Sequence, residues 1–192
     1  MLVAVDVAIL LPPDVNELAL QLSAALPPAE TQGLRLDATH LPHITLAQAF
    51  VAEDDIDRTA AAIAAQVQDI GPLPLTVAGS ARSSSSIALS IEMSPALQSL
   101  HAAVMAALAP FERHGGDAQA FSGLDARDRD ITWVANFRRE SSFDRFWPHV
   151  TLGHAERPPH VAPLTFTATT VGLCHLGRYC SCRRVLRQWA FN

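Results

Sequence analysis

Pro42-His43-Ile44-Thr45-Leu46 recurs as Pro148-His149-Val150-Thr151-Leu152, 149 − 43 = 106 residues later. Five residues make a short motif, but two copies, one in each half of the chain, carry far more information than one. Side chains alternate between the faces of a strand, so His43 shares a face with Thr45, and His149 with Thr151. Ile or Val and Leu then point the other way, into a core. Each copy predicts a packed strand presenting one imidazole and one hydroxyl. The placement predicts two similar lobes; if they face each other, two His and two Thr converge on one cleft.

Working outward, Val3, Val5, Val7 and Ile9 share a face of a buried first strand that Pro12-Pro13 ends. Asp14 is placed to cap a helix to about Leu26, with Val15, Leu18, Leu22 and Leu26 as its apolar stripe and Pro27-Pro28 as its stop. The first motif lies in a strand within Leu34 to Phe50. The acidic stretch Glu53 to Asp57 opens a second helix with Ile56, Ala60, Ile63, Ala64 and Val67 as its face. Leu73 to Val77 and Ile87 to Ile91 read as strands flanking a serine-rich loop, Gly79 to Ser86. Ser94-Pro95 starts a third helix lined by Leu97, Leu100, Val104 and Leu108. Ile131 to Phe137, the stretch around His149, Leu164 to Leu173 and Arg184 to Phe191 read as later strands. The interleaved helices and strands make an α+β chain with no long linker.

Half of the 192 residues are hydrophobic (49%) and 17% are charged, which excludes a disordered chain. The net charge of −5 excludes a broad cationic surface for long nucleic acid but leaves room for a local phosphate pocket. Three cysteines, an odd number, imply no disulfide framework, and a reducing cytoplasm is the expected location. Met1 to Leu11 lacks the cationic start of a secretory signal, and no apolar run approaches the ~20 residues of a membrane span.

Two histidines suit a reaction needing an acid and a base near neutral pH, because an unperturbed value of about 6.5 lets one be charged while the other is neutral. Phosphodiester cleavage is such a reaction. One His takes a proton from the attacking oxygen, the other protonates the departing one, and Thr hydroxyls donate to the nonbridging oxygens. Nothing in this scheme needs a metal or cofactor. The near-symmetry of the two copies leaves both acid and base assignments open.

The paired motifs resemble those of the 2H phosphoesterase superfamily, which includes the bacterial 2'-5' RNA ligase and RNA 2',3'-cyclic phosphodiesterase-like proteins. The matching residues are His43-Ile44-Thr45-Leu46 and His149-Val150-Thr151-Leu152, with Pro148 and Phe146 before the second His and a first strand ending in proline before a helix. The resemblance implies one domain over 1–192. It would be made of two pseudo-symmetric lobes of antiparallel sheet, helices packed outside, around a central cleft. It implies a metal-independent phosphodiesterase acting on 2',3'-cyclic phosphates of nucleotides or RNA ends, or on 2'-5' linkages. His43 and His149 would be the acid and base, and Thr45 and Thr151 the phosphate ligands. A small cyclic nucleotide or RNA terminus is the implied partner, and a monomer is expected. Where relatives often continue Phe-Leu-Gly after the first motif, this chain has Ala47-Gln48-Ala49-Phe50. Where they often have a basic residue soon after the second, it has Gly153-His154, with Arg157 later. These departures motivate a second reading, a nucleotide or RNA-end binding protein with little turnover. A third is a structural protein in which the pentapeptides are core strands.

Other residues carry weaker signals. Cys174, Cys180, Cys182 and His175 could supply four zinc ligands, but their spacing lacks two separated arms, and ordinary buried or surface thiols are the expectation. Asp125, Asp128 and Asp130, alternating with Arg127 and Arg129, lack the Gly and Glu of a calcium loop and read as a solvated loop. Trp133, Phe137, Phe146, Trp147 and Tyr179 could stack on a base, though most aromatics belong to the core. His154, five residues beyond His149, is expected to point away from the cleft if the strand runs on unbroken.

Overall fold

The first strand carries two different faces, and the fold follows from them. The computed structural model describes residues 1–83 and 86–192. Its elements in order are β1 (Leu2–Leu10), α1 (Pro13–Ala25), β2 (His43–Ala52), α2 (Ile56–Val67), β3 (Leu73–Ser83), β4 (Ser86–Ile91) and α3 (Pro95–Leu108). After these come α4 (Asp128–Glu140), β5 (His149–His154), β6 (Leu164–Ala168), β7 (Thr170–Leu176) and β8 (Cys182–Ala190). Val5, Val7 and Ile9 of β1 enter the main core, while Ala4, Asp6 and Ala8 line the opposite face, also buried. The strands form two four-stranded antiparallel sheets, ordered β2-β1-β7-β8 and β5-β4-β3-β6. The motif strands β2 and β5 are therefore matching edge strands, and they lie against each other where the sheets meet.

Helices are exchanged between the lobes. α1 follows β1 but packs on β5; α3 and α4 follow β4 but pack on β2. One buried cluster accordingly contains Ile44 and Leu46 from the first motif and Val150 and Leu152 from the second. Each fully buried aliphatic side chain of this kind contributes roughly 1.5–3 kcal/mol. α3 begins as its sequence predicts. Ser94 Oγ accepts the backbone N–H of Leu97 at 3.2 Å, Pro95 occupies the first helical turn, and Leu97, Leu100, Val104 and Leu108 are buried. Among the described residues no helix is long and apolar enough to cross a membrane.

Several expectations are corrected. Ile131 to Phe137 is helix, not strand: it lies in α4, whose buried face is Asp130, Val134 and Phe137. Asp130 is not in a solvated loop. Its carboxylate accepts the backbone N–H of Arg127 (3.0 Å) and pairs with that residue's guanidinium, fixing the first turn of α4. Asp14 sits inside the first turn of α1 and caps nothing; Pro12 is the cap position. Leu164 to Leu173 divides into β6, which joins the second sheet, and β7, which joins the first. Gly79 to Ser83 continues β3 rather than forming a loop, and Ser86 opens β4. Ser84 and Ser85 of the serine run lie outside the described residues.

Candidate active site

The two histidines are held identically. The acceptor at each Nδ1 is a backbone carbonyl two residues earlier: Leu41 for His43 (2.7 Å) and Trp147 for His149 (2.8 Å). A carbonyl can only accept, so each Nδ1 carries the proton and each Nε2 is the nitrogen left for chemistry. The first carbonyl is anchored in turn, since the N–H of Leu41 donates to Cys182 O at 2.9 Å.

The register is repeated as well. His43, Thr45 and Gln48 on β2 stand opposite Leu10, Ala8 and Asp6 on β1. His149, Thr151 and His154 on β5 stand opposite Ser90, Ala88 and Ser86 on β4. Each pair has a register shift at the same place, with Leu46 or Leu152 as the extra residue. Both of these leucines are fully buried. The shift corrects the expectation for His154: it returns this side chain to the face of His149 and Thr151. Gly153 makes the bend possible with φ +146°, and a Cβ there would come within 2.9 Å of Leu26 Cδ1.

Asp6 lies on the same face of the first sheet and is wholly buried. Its Oδ2 accepts from Thr45 Oγ1 (2.7 Å) and Gln48 Nε2 (2.6 Å) and lies 3.6 Å from His43 Nε2. The last distance makes an ion pair rather than a hydrogen bond. Burial alone would push His43 down. The Asp6 carboxylate and the Leu41 carbonyl outweigh it and hold His43 up at about 9. His149 is shifted the other way, by burial first and then by the positive charge of His43, against the pull of the Trp147 carbonyl. At pH 7 the site thus holds one imidazolium and one neutral imidazole. Neither Asp6 nor Gln48 stands out as functional in the sequence. The available signal was a lone carboxylate in an otherwise apolar first strand, on the face opposite Val5 and Val7.

The surroundings separate the other candidates. Trp147 stacks on the His149 ring (4.3 Å between centroids, 20° between planes) and remains 40% exposed. Of the five aromatics, it is the one that stands beside a motif histidine. Phe146 stacks on His101, Trp133 meets Phe137 along α4, and Tyr179 lies beneath the Arg127 guanidinium at 3.9 Å. His101 is structural: its Nδ1–H donates to Leu46 O (2.7 Å) and its Nε2 accepts from the N–H of Phe143 (2.8 Å). His175 bonds Ala120 O, and Cys180 Sγ contacts Asp130 O, so the four candidate zinc ligands are not assembled as a site. Ligand atoms of Asp6, His43 and Cys182 do lie within 4.8 Å of one another. These groups are already engaged: Asp6 accepts hydrogen bonds from Thr45 and Gln48, and burial, with Cys174 beside it, pushes the Cys182 thiol well up. A thiol that keeps its proton is a poor metal ligand.

The family model of the 2'-5' RNA ligase superfamily matches residues 12–171, which include both motifs. The chain belongs to the 2'-5' RNA ligase superfamily. No protein of curated function matches it. Among solved structures, this superfamily member is similar in fold to E. coli LigT, crystallised in complex with 3'-AMP. The identity there is 18%, the coverage 100% of this chain and 99% of that one, and the TM-score 0.66. A protein described as a phosphoesterase matches with 16% identity, 98% coverage of both chains and a TM-score of 0.63. TT0787 of Thermus thermophilus matches with 18% identity, coverage of 98% and 97%, and a TM-score of 0.61. The paired sheets of this chain thus have the LigT-like α+β fold.

Proposed function

We propose that this protein is a metal-independent phosphodiesterase that opens 2',3'-cyclic phosphates of nucleotides or RNA ends, with 2'-5' linkages as related substrates. The observation that carries the reading is the pair of identically anchored histidines on facing edge strands, one charged and one neutral at pH 7. Hydrolysis at phosphorus needs that combination: a base for the attacking water and an acid for the departing ribose oxygen. Thr151 supports phosphate binding, because no described residue takes its hydroxyl proton. E. coli LigT was crystallised with 3'-AMP and with phosphate, which supports a small nucleotide or an RNA terminus as the partner. The net charge of −5 favours recognition of an end over a grip on long nucleic acid.

The test is a panel of 2',3'-cyclic nucleotides, ADP-ribose cyclic phosphate and short RNAs ending in a cyclic phosphate, assayed in EDTA. The expected result is conversion of at least one class to a phosphomonoester. His43→Ala and His149→Ala should each lose about 10²–10⁴-fold while remaining folded. Wild-type rates in either variant would overturn the reading.

A further inference from the structure

The two halves of the site repeat each other through strand order, histidine anchoring and register shift, but only one of them places a carboxylate in the register beside its histidine. In the first lobe the register pair is Asp6 and Gln48; in the second it is Ser86 and His154. Asp6 is 0% exposed between Ala4 and Ala8, and its Oδ1 has no hydrogen-bond partner among the described residues. A buried, half-satisfied carboxylate is costly to keep out of water, and an apolar residue at this place in the sheet would be cheaper. Stability therefore does not account for it. Its Oδ2 stands 3.6 Å from His43 Nε2, near enough to favour a cation and too far to tie up the Nε2 proton.

We propose that Asp6 is a positioning residue that makes His43 the proton donor of the pair, so that a bound phosphodiester lies with its leaving oxygen toward the first lobe and the attacking water toward the second. This rests on the phosphodiesterase reading above. The step balances. A water oxygen forms a bond to phosphorus and gives its proton to His149 Nε2. The bond from phosphorus to the ribose oxygen breaks, and that oxygen takes the proton from His43 Nε2. Solvent then resets both imidazoles. Asp6 takes no part in the transfer, and Thr45, whose hydroxyl donates to Asp6, turns oxygen lone pairs rather than its proton to the cleft.

The titratable groups around Asp6 agree with a single cation on His43. His43 faces it from β2, Cys174 from β7, Cys182 from β8 and Cys180 from the turn between them, with His149 across the cleft. Burial pushes Cys180 and Cys182 well up, so these two thiols bring no competing negative charge. With His43 near 9, about nine-tenths of the protein carries its proton at pH 8. At an ordinary value of about 6.5 that fraction falls roughly 30-fold.

The test begins on the free protein, so it does not depend on finding a substrate. Imidazole resonances of His43 and His149 are followed by NMR from pH 5 to 10 in wild type and Asp6→Asn. His43 should stay cationic through pH 8 in the wild type and deprotonate near 9, with His149 neutral at pH 7. In the variant the His43 midpoint should fall below about 7. A wild-type midpoint near 6.5, no change in Asp6→Asn, or a proton held by His149 instead would each overturn the proposal. On a cyclic phosphate, Asp6→Asn should lose about 30-fold in kcat at pH 8 and little at pH 6, with KM nearly unchanged.

Orientation is read with a cyclic phosphate whose leaving bridging atom is sulfur, which departs without a proton. His43→Ala should recover most of its loss on this substrate, and His149→Ala should not. The opposite pattern, or recovery in neither, overturns the orientation. If no cyclic phosphate is turned over at all, the phosphodiesterase reading fails, while the titration still decides the role of Asp6.

Discussion

The first and second lobes share a backbone plan but differ in polarity. Each offers a His and a Thr from an edge strand, a proline before the His, and an extra buried leucine at the register shift. The first lobe places a buried carboxylate behind its histidine; the second has Ser86 at the matching place and stacks a half-exposed tryptophan on the ring instead. A duplicated scaffold therefore supplies two equivalent positions, and a few neighbours make them unequal. Acid–base chemistry needs both properties: symmetry brings two imidazoles to one place, and asymmetry gives them different charges.

Substitutions can break this comparison in graded steps. The largest effect is expected from either histidine, since each has a role that the other cannot fill while it performs its own. A double variant should be scarcely worse than either single one in kcat, because the two act as a unit. Next is His101, which ties the first lobe's Leu46 carbonyl to Phe143. His101→Ala leaves the buried Leu46 carbonyl and the Phe143 N–H unpaired and removes the stack on Phe146, at a cost of about 3 kcal/mol in urea denaturation.

The threonines should then prove unequal. Thr151→Val removes a donor that no described residue engages and should cost about 10²-fold in kcat/KM. Thr45→Val should cost less and should act through His43, changing the pH profile more than the plateau rate. A smaller effect is expected from Gly153→Ala. The matching first-lobe residue is Ala47, so the side chain itself is acceptable there. At φ +146° beside Leu26 the same methyl should cost roughly 1–3 kcal/mol, read as a lowered Tm.

Stability should also follow the difference between the lobes. His43 has a folded value near 9 against about 6.5 when unfolded. The folded state therefore holds an extra proton between those values. The ion pair's contribution, up to about 3 kcal/mol, is complete below pH 6.5 and lost as pH rises through 9. Denaturant midpoints measured from pH 6 to 10 should fall through that window in the wild type, and the fall should flatten in Asp6→Asn.

The motif strands, β1 and α3 were legible because their signals are local: alternation, a proline stop, and a serine cap before a proline. α4 was misread because Ile131 to Phe137 is rich in strand-favouring side chains. The helical signals were Asp128 and Asp130 in the first turn and Arg138 and Arg139 in the last, which suit the helix dipole. The division at Thr169 has no Gly or Pro to announce it; the chain there passes from one sheet to the other. The four motif residues stand out by repetition. The orientation of His154 was missed because one extra residue in a strand resets the alternation, and a register shift of this kind is set by pairing partners far away in sequence. Asp6 became visible as part of the site only once β1 was known to lie beside β2.

The most direct measurement is the pH–rate profile of 2',3'-cyclic nucleotide hydrolysis in EDTA, with the product followed by phosphorus NMR. The account predicts a phosphomonoester product and a rate that rises with pH below 6.5, stays level near neutrality and declines near 9. Loss of activity in EDTA, or a rate indifferent to both His43→Ala and His149→Ala, would contradict it.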